Sequence, residues 1–182
     1  MQATDNVGDL MTGRMNLLNK ESQEVLKIAA CLGSVFSLTT LSKAATLSRE
    51  SLTKILKPVI SSGFMIQVGD EIKFIHDIVQ ESIYSIIGNK ERKSIHMNTG
   101  RRLLKSSGDH YPEYVLFEIV DQMNMGFESL SQKGDFIDLA QLNLAAGRKK
   151  KEASAYASAD LYFSSGLSLL PEESWKTAYD LS

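Results

Sequence analysis

Three amphipathic stretches at helical spacing, followed directly by two short β-prone runs around Gly69-Asp70, leave the first half of this chain few ways to bury its apolar residues. In the first stretch Leu18, Val25, Ile28, Ala29 and Leu32 share a face, with Asn19 placed to cap the start and Gly33 to end it. Leu38, Leu41, Ala44 and Ala45 mark a short second helix. Leu52, Ile55, Leu56, Val59 and Ile60 mark a third, which begins after Ser48 and stops at Gly63. Pro58 lies inside that third helix and lacks a backbone donor, so a kink or break is expected near Lys57. The runs Phe64–Val68 and Glu71–Phe74 flank Gly69-Asp70 in the manner of a tight hairpin. Three helices followed by a hairpin is the order of a winged helix.

The rest reads as helix. Ile75, Val79, Ile83 and Ile86 continue at helical spacing, then Ile95, Thr99 and Leu103 up to Ser106-Ser107-Gly108, then Leu116, Phe117, Val120 and Met123. From Asp135 the texture shifts to small residues: Leu139, Ala140, Leu142, Ala145 and Ala146, then Ala153, Tyr156, Ala159, Phe163 and Leu170, with Gly147 read as the turn between two closely packed helices. Such a pair is similar to one unit of a tetratricopeptide-like (TPR-like) array. The chain stops at Trp175 and Tyr179 within what reads as a further helix, and is expected to be a truncated piece of a larger protein. The fold expected is therefore mainly α: a winged-helix domain with a small β-hairpin, then α-helical hairpin repeats. The divisions are 1–15, a polar lead-in; 16–130, the winged helix and its supporting helices; and 131–182, the start of a TPR-like array.

Composition removes several classes of function. Lys plus Arg number 20 and Asp plus Glu 22, for a formal net charge of -2, so the molecule as a whole does not attract nucleic acid or anionic lipid. The single cysteine, Cys31, sits in an apolar helical stretch as a small buried side chain, and one cysteine makes no disulfide framework. Apolar runs too short to span a bilayer, and an N-terminus without a basic-then-apolar pattern, give the expectation of a cytoplasmic protein without membrane contact.

Few motifs carry chemistry. Gly8-Asp-Leu-Met-Thr-Gly13-Arg14-Met15 has the glycine spacing of a phosphate-binding loop without its Lys and Ser/Thr or a preceding strand. Gly147-Arg-Lys-Lys-Lys151 is a basic cluster at a helix turn, followed by Glu152, and reads as a solvated surface. His76, His96 and His110 have no partner at metal-ligand spacing, and no catalytic dyad can be assembled, so the chain is expected to be neither an enzyme nor a metal protein by itself. His76 stands out because Phe74-Ile-His-Asp77 sets an imidazole and a carboxylate where the second hairpin strand meets a helix N-terminus, a place where an imidazole can donate to a phosphate oxygen. The plainer alternative is that Asp77 caps the helix and His76 is a satisfied interface residue. A second functional reading, a DNA-binding winged-helix regulator, would put Arg49, Lys54 and Lys57 of the third helix on the duplex. Three cations beside Glu50, with Asp70 at the wing tip, make a thin phosphate footprint and disfavour nucleic acid as a partner.

The run Phe74-Ile-His-Asp-Ile-Val-Gln-Glu-Ser-Ile-Tyr84, with Leu26–Gly33 and Val35–Leu38, resembles the segment that follows the AAA-type ATPase core in STAND proteins, the signal-transduction ATPases with numerous domains. Leu139–Gly147, Ala153–Ala159, Gly166–Pro171, Trp175 and Tyr179 extend the resemblance to large proteins joining a serine/threonine kinase, the ATPase, helical repeats, a GAF domain and often a histidine kinase. The resemblance implies a non-catalytic regulatory and scaffolding module. In it the winged helix packs on an upstream nucleotide-binding domain of the same polypeptide and the repeats bind a protein partner. It also implies that His76 senses the nucleotide's phosphates, and that ATP or ADP with Mg belongs to the ATPase core, this segment carrying no cofactor of its own.

Overall fold

The structure is a computed structural model and describes residues 10–108 and 111–170. Residues 10–16 are helical (α1) and lead into α2 (Lys20–Leu32), β1 (Val35–Ser37), α3 (Leu38–Ala45) and α4 (Arg49–Ser61). Next come β2 (Met65–Val68), β3 (Glu71–Phe74), α5 (Asp77–Ile86), α6 (Asn89–Ser107), α7 (Glu113–Gly126), a short 3-10 turn at Phe127–Ser129, α8 (Lys133–Glu152) and α9 (Tyr156–Ser168). The described residues are mostly helical with one small three-stranded antiparallel sheet of order β1-β3-β2.

The first helices start where the sequence places polar caps. Asn19 accepts from the Ser22 amide at 2.8 Å, Ser37 from Thr40 at 2.8 Å and Ser48 from Ser51 at 3.1 Å, each satisfying a donor that has no partner inside its helix. The hairpin forms with Gly69-Asp70 as its two-residue loop, since Val68 pairs with Glu71 and Gly69 takes a φ of 62° that suits glycine. The third strand, β1, is three residues long, too short for its alternation to register in the sequence. It pairs with β3 from Val35↔Lys73 to Ser37↔Glu71.

Two expectations for this half are corrected. The third helix runs through Pro58 without a break to Ser61. Pro58 lies in its last turn, where few amides remain to be disrupted, and its own carbonyl still accepts from Ser62 at 2.9 Å while Leu56 and Val59 are fully buried. Residues 10–15, read as a polar lead-in, put Met11 and Met15 into the main apolar core, and Arg14 reaches back to the Ser62 carbonyl and lies over the Phe64 ring. From Leu10 on, the glycine-spaced motif is therefore helix and not a loop; Gly8 lies outside the described residues.

That core runs from Met11 to Ile83 and is centred on Leu26, Leu41, Leu52, Leu56, Phe64 and Ile72. A second apolar cluster gathers Met97, Leu103, Ile119, Met123, Leu139 and Leu169 and shares no member with the first. The cores thus divide between Ile83 and Met97: α6 touches α2 and α3, yet α6 and α7 give apolar side chains to the second cluster with α8 and Leu169, and a smaller cluster of Leu116, Val120 and Ala146 with Tyr162 joins α7 and α8 to α9. We call the two parts the N-terminal unit and the helical stack. In the stack Gly147 is not a turn. It is buried in α8, which continues to Glu152, and a Cβ there would lie 2.3 Å from the Phe163 ring of α9. The chain reverses instead at Ala153–Ala155, with Ser154 at a φ of 60°. The expectations for His110, Trp175 and Tyr179 lie outside the described residues.

Candidate functional site

His76 lies where β3 hands over to α5. The alternation that buries Ile72 and Phe74 turns Lys73 and Ile75 outward, and His76 follows as the N-cap of α5 with extended backbone (φ -144°, ψ 148°). Its carbonyl accepts from Val79 at 2.9 Å, but its imidazole makes no capping bond and is exposed. Asp77 is the first residue of the helix and not its N-cap, so the capping role expected of it in the plainer alternative does not hold. Ile75 and Ile78, on either side, are also exposed. Around the position of Gly63 the Arg14 guanidinium and the Ile75 side chain come together: a Cβ on Gly63 would meet Arg14 Nη2 at 3.2 Å and Ile75 Cδ1 at 3.7 Å. Arg14 thus comes beside Ile75, the residue before His76, and the N-terminus of α5 carries the exposed imidazole of His76 next to the carboxylate of Asp77. Arg14 was not foreseen in this place, because only the packing of α1 against the hairpin brings it there.

The outward face of the sheet continues this surface. Val35, Ile66 and Val68 are exposed, with Lys73 opposite both Val35 and Ile66 in the register and Glu71 opposite Val68. An antiparallel sheet with one solvated face is ordinarily polar there, so the run of Val and Ile is the unusual feature.

The cations singled out for duplex binding are dispersed. Arg49 donates to Asp70 Oδ1 and to Thr39 Oγ1, both at 2.6 Å, and so ties α4 and α3 to the hairpin loop. Lys54 pairs with Glu50 at 2.7 Å, and Lys57 is exposed on the same helix. In the basic cluster Lys149 pairs with Glu113 at 3.3 Å and Glu152 at 3.2 Å, and Lys150 sits 3.8 Å from the centre of the Phe117 ring.

A polar node that the sequence did not suggest joins the two units. His96, 2% exposed on α6, has Nδ1 2.8 Å from Gln122 Oε1 on α7 and Nε2 3.0 Å from the Tyr84 hydroxyl on α5. Gln122 Nε2 in turn donates to the Cys31 carbonyl at 3.0 Å, and Gln80 donates to the Ala30 carbonyl at 2.7 Å, so two glutamines satisfy the open end of α2. Beside the node lies a cavity of about 510 Å³ bordered by Cys31, Gln80, Tyr84, Glu118, Asp121 and Gln122. Burial lowers the His96 pKa from 6.5, the Gln122 carbonyl opposes this, and the Arg92 charge adds to it. Burial also pushes the Cys31 thiol up to about 12 and raises Glu118 above the usual carboxylate range, against the pull of Lys43. Nothing in the spacing of residues 31, 84, 96 and 122 signals that they meet.

Among the described residues no cluster of His, Cys, Asp and Glu is disposed to hold a metal ion, and no helix is long and apolar enough to cross a membrane. No protein-family model matches the chain, and no solved structure matches it. The chain is similar to Hybrid signal transduction histidine kinase G of Dictyostelium discoideum, 26% identical over an alignment of 227 positions that takes in 94% of this chain and 6% of that protein. It therefore spans a small part of the length of the curated relative it matches, a protein of signal transduction.

Proposed function

We propose that this chain is a regulatory module of a large signalling protein. In this reading the N-terminal unit is a winged helix that packs as a movable lid on an adjoining nucleotide-binding core, and the helical stack begins a TPR-like array that receives a protein partner. The observation that carries it is the exposed His76 imidazole at the N-terminus of α5, flanked by exposed Ile75 and Ile78. A solvent-facing surface has no need of that combination, whereas a surface closing on a phosphate-bearing domain does. Arg14 beside Ile75, and the apolar outer face of the sheet, support the same edge as the docking side. The STAND-class resemblance and the likeness to a signalling histidine kinase support the wider setting, with ATP or ADP and Mg held by the core and no catalytic group supplied by this chain. Duplex DNA has less support as a partner, because Arg49 and Lys54 are already engaged with Asp70 and Glu50.

The lid mechanism is a two-state one: nucleotide biases the lid only through contacts that differ between its two positions. The test is calorimetric titration of ADP into a longer chain extended N-terminally through the nucleotide-binding core, with His76 intact and with His76→Ala. The substitution is expected to weaken ADP binding by roughly fivefold or more, the low end of ordinary coupling between sites. Equal affinities would remove His76 from the mechanism.

A further inference from the structure

The two units meet through polar links and not through a shared apolar core. Across the joint, Lys27 pairs with Glu91 at 2.7 Å and Arg102 donates to the Ala44 carbonyl at 2.7 Å, while Tyr84, His96, Gln122 and the Cys31 carbonyl form one continuous chain of hydrogen bonds. Beside that chain the joint is not filled, since the cavity of about 510 Å³ reaches the same residues. Boundaries with few apolar contacts are where folded chains open below their global unfolding energy.

The hydrogen bonds also fix the state of the imidazole. Gln122 spends its amide N–H on the Cys31 carbonyl and presents Oε1, which only accepts, to His96. Nδ1 therefore carries the proton, and Nε2 accepts from the Tyr84 hydroxyl. We propose that His96 is a proton-sensitive latch on this joint: as the neutral Nδ1–H tautomer it holds Gln122 on the Cys31 carbonyl and keeps the joint shut, and on taking a proton at Nε2 it opens the joint toward the adjacent cavity.

The charges around it favour that direction. From α6 itself, Arg92 lies 4.8 Å over the Tyr84 ring, and its charge disfavours the imidazolium. From α5 the facing group is the Tyr84 hydroxyl, which is neutral, and from α2 it is the Cys31 thiol, held protonated with a pKa of about 12. From α7, Glu118 and Asp121 border the cavity. Burial weakens the first as a counter-charge, and the second accepts the Tyr162 hydroxyl at 2.8 Å. Glu91 is engaged with Lys27. Among the described residues no carboxylate is paired with His96, so an imidazolium gains most by reaching water through the cavity. The sign follows from linkage. The closed joint binds the proton less well than an open one, so closure is complete above pH 6.5 and weakens as pH falls below it.

The experiment uses the 182-residue chain with one spin label on each unit, at Lys54→Cys and Ser164→Cys, because Cys31, its only native cysteine, is buried and remains a thiol. The distance between labels is followed from about pH 8 to about pH 5, together with the His96 imidazole resonances. The expected result is one closed distance at high pH and a second, longer population that appears in step with His96 titration, with its midpoint below 6.5. His96→Asn keeps a donor for Gln122 without a titrating site and is expected to stay closed throughout. Tyr84→Phe removes the bond that stabilises the neutral ring and is expected to move the midpoint upward, which keeps the test sharp if the asparagine variant does not fold. The latch is overturned by a distance that stays constant while His96 titrates, by a His96 that stays neutral over the whole range, or by a Tyr84→Phe midpoint that does not move.

Discussion

The two units are built by different means. In the N-terminal unit α2, α3 and α4 each begin at a side chain that caps them, and one apolar core gathers residues from every element between α1 and α5. In the helical stack, none of α6, α7, α8 and α9 has a side-chain cap, and the helices approach so closely that glycine becomes necessary where they touch. The contrast separates two sources of helix stability: local signals that fix where a helix starts, and tertiary contact that holds a helix whose ends are unspecified. The N-terminal unit should therefore tolerate the loss of a cap better than damage to its core, and the stack should be most sensitive at its close contacts.

The largest expected effect breaks the comparison at its first term. Phe64 is fully buried beneath the Arg14 guanidinium and at the junction of α4 with the hairpin. Phe64→Ala is expected to cost about 3–5 kcal/mol, the usual range for emptying that volume in a packed core. Denaturant unfolding followed by hydrogen exchange should show amides of α2 and α4 losing protection first. Equal losses in α8 and α9 would mean that the two cores unfold as one, and the distinction drawn above would fall.

Gly126 sharpens the second term. A Cβ there would lie 2.5 Å from the Met97 amide nitrogen and 2.6 Å from the Lys93 carbonyl oxygen, both backbone atoms of α6 that cannot swing aside. Gly126→Ala is expected to cost about 1–3 kcal/mol through forced separation of α6 and α7. Gly147→Ala should cost less, because what it meets is the ring of Phe163, a side chain free to turn. A thermal scan that ranked the two in the opposite order would show that the Phe163 ring is the more rigid neighbour.

The same contrast explains what could be read from the residues alone. Asn19, Gly33, Ser48 and the Gly69-Asp70 loop act on their immediate neighbours, so the helix starts and the hairpin were legible. Gly147 was misread as a turn because a glycine that admits an aromatic ring across a helix pair looks, in sequence, like a glycine that ends a helix. Pro58 was expected to kink or break α4 near Lys57, and the break does not occur because Pro58 sits in the last turn of a helix that runs on to Ser61. At the candidate site, His76 was legible from its place after a strand, whereas Arg14 and the His96 node were not. Their partners lie far along the chain, Ser62 for Arg14 and Gln122 for His96, and only the packed fold brings them together.

Caps give the next smaller effect. Asn19→Ala removes the acceptor for the Ser22 amide at the start of α2 and is expected to cost about 1 kcal/mol, visible as a lowered midpoint in urea with an unchanged slope. A change in slope would indicate that α2 has frayed enough to alter the native surface, which would make the cap part of the core's integrity and not a local term.

The smallest effect is expected where the charge geometry looks most ordered. Arg49 joins α4 to Asp70 and Thr39 with bonds of 2.6 Å, yet its side chain is 56% exposed and that of Asp70 46%. Water and salt screen such a pair, so Arg49→Ala is expected to cost well under about 1 kcal/mol, and less again as ionic strength rises. A larger, salt-insensitive loss would mean that Arg49 fixes the hairpin against α3 and α4 through geometry instead of charge. The hairpin would then belong to the rigid part of the N-terminal unit, and any movement of a lid would have to take α4 and the sheet together.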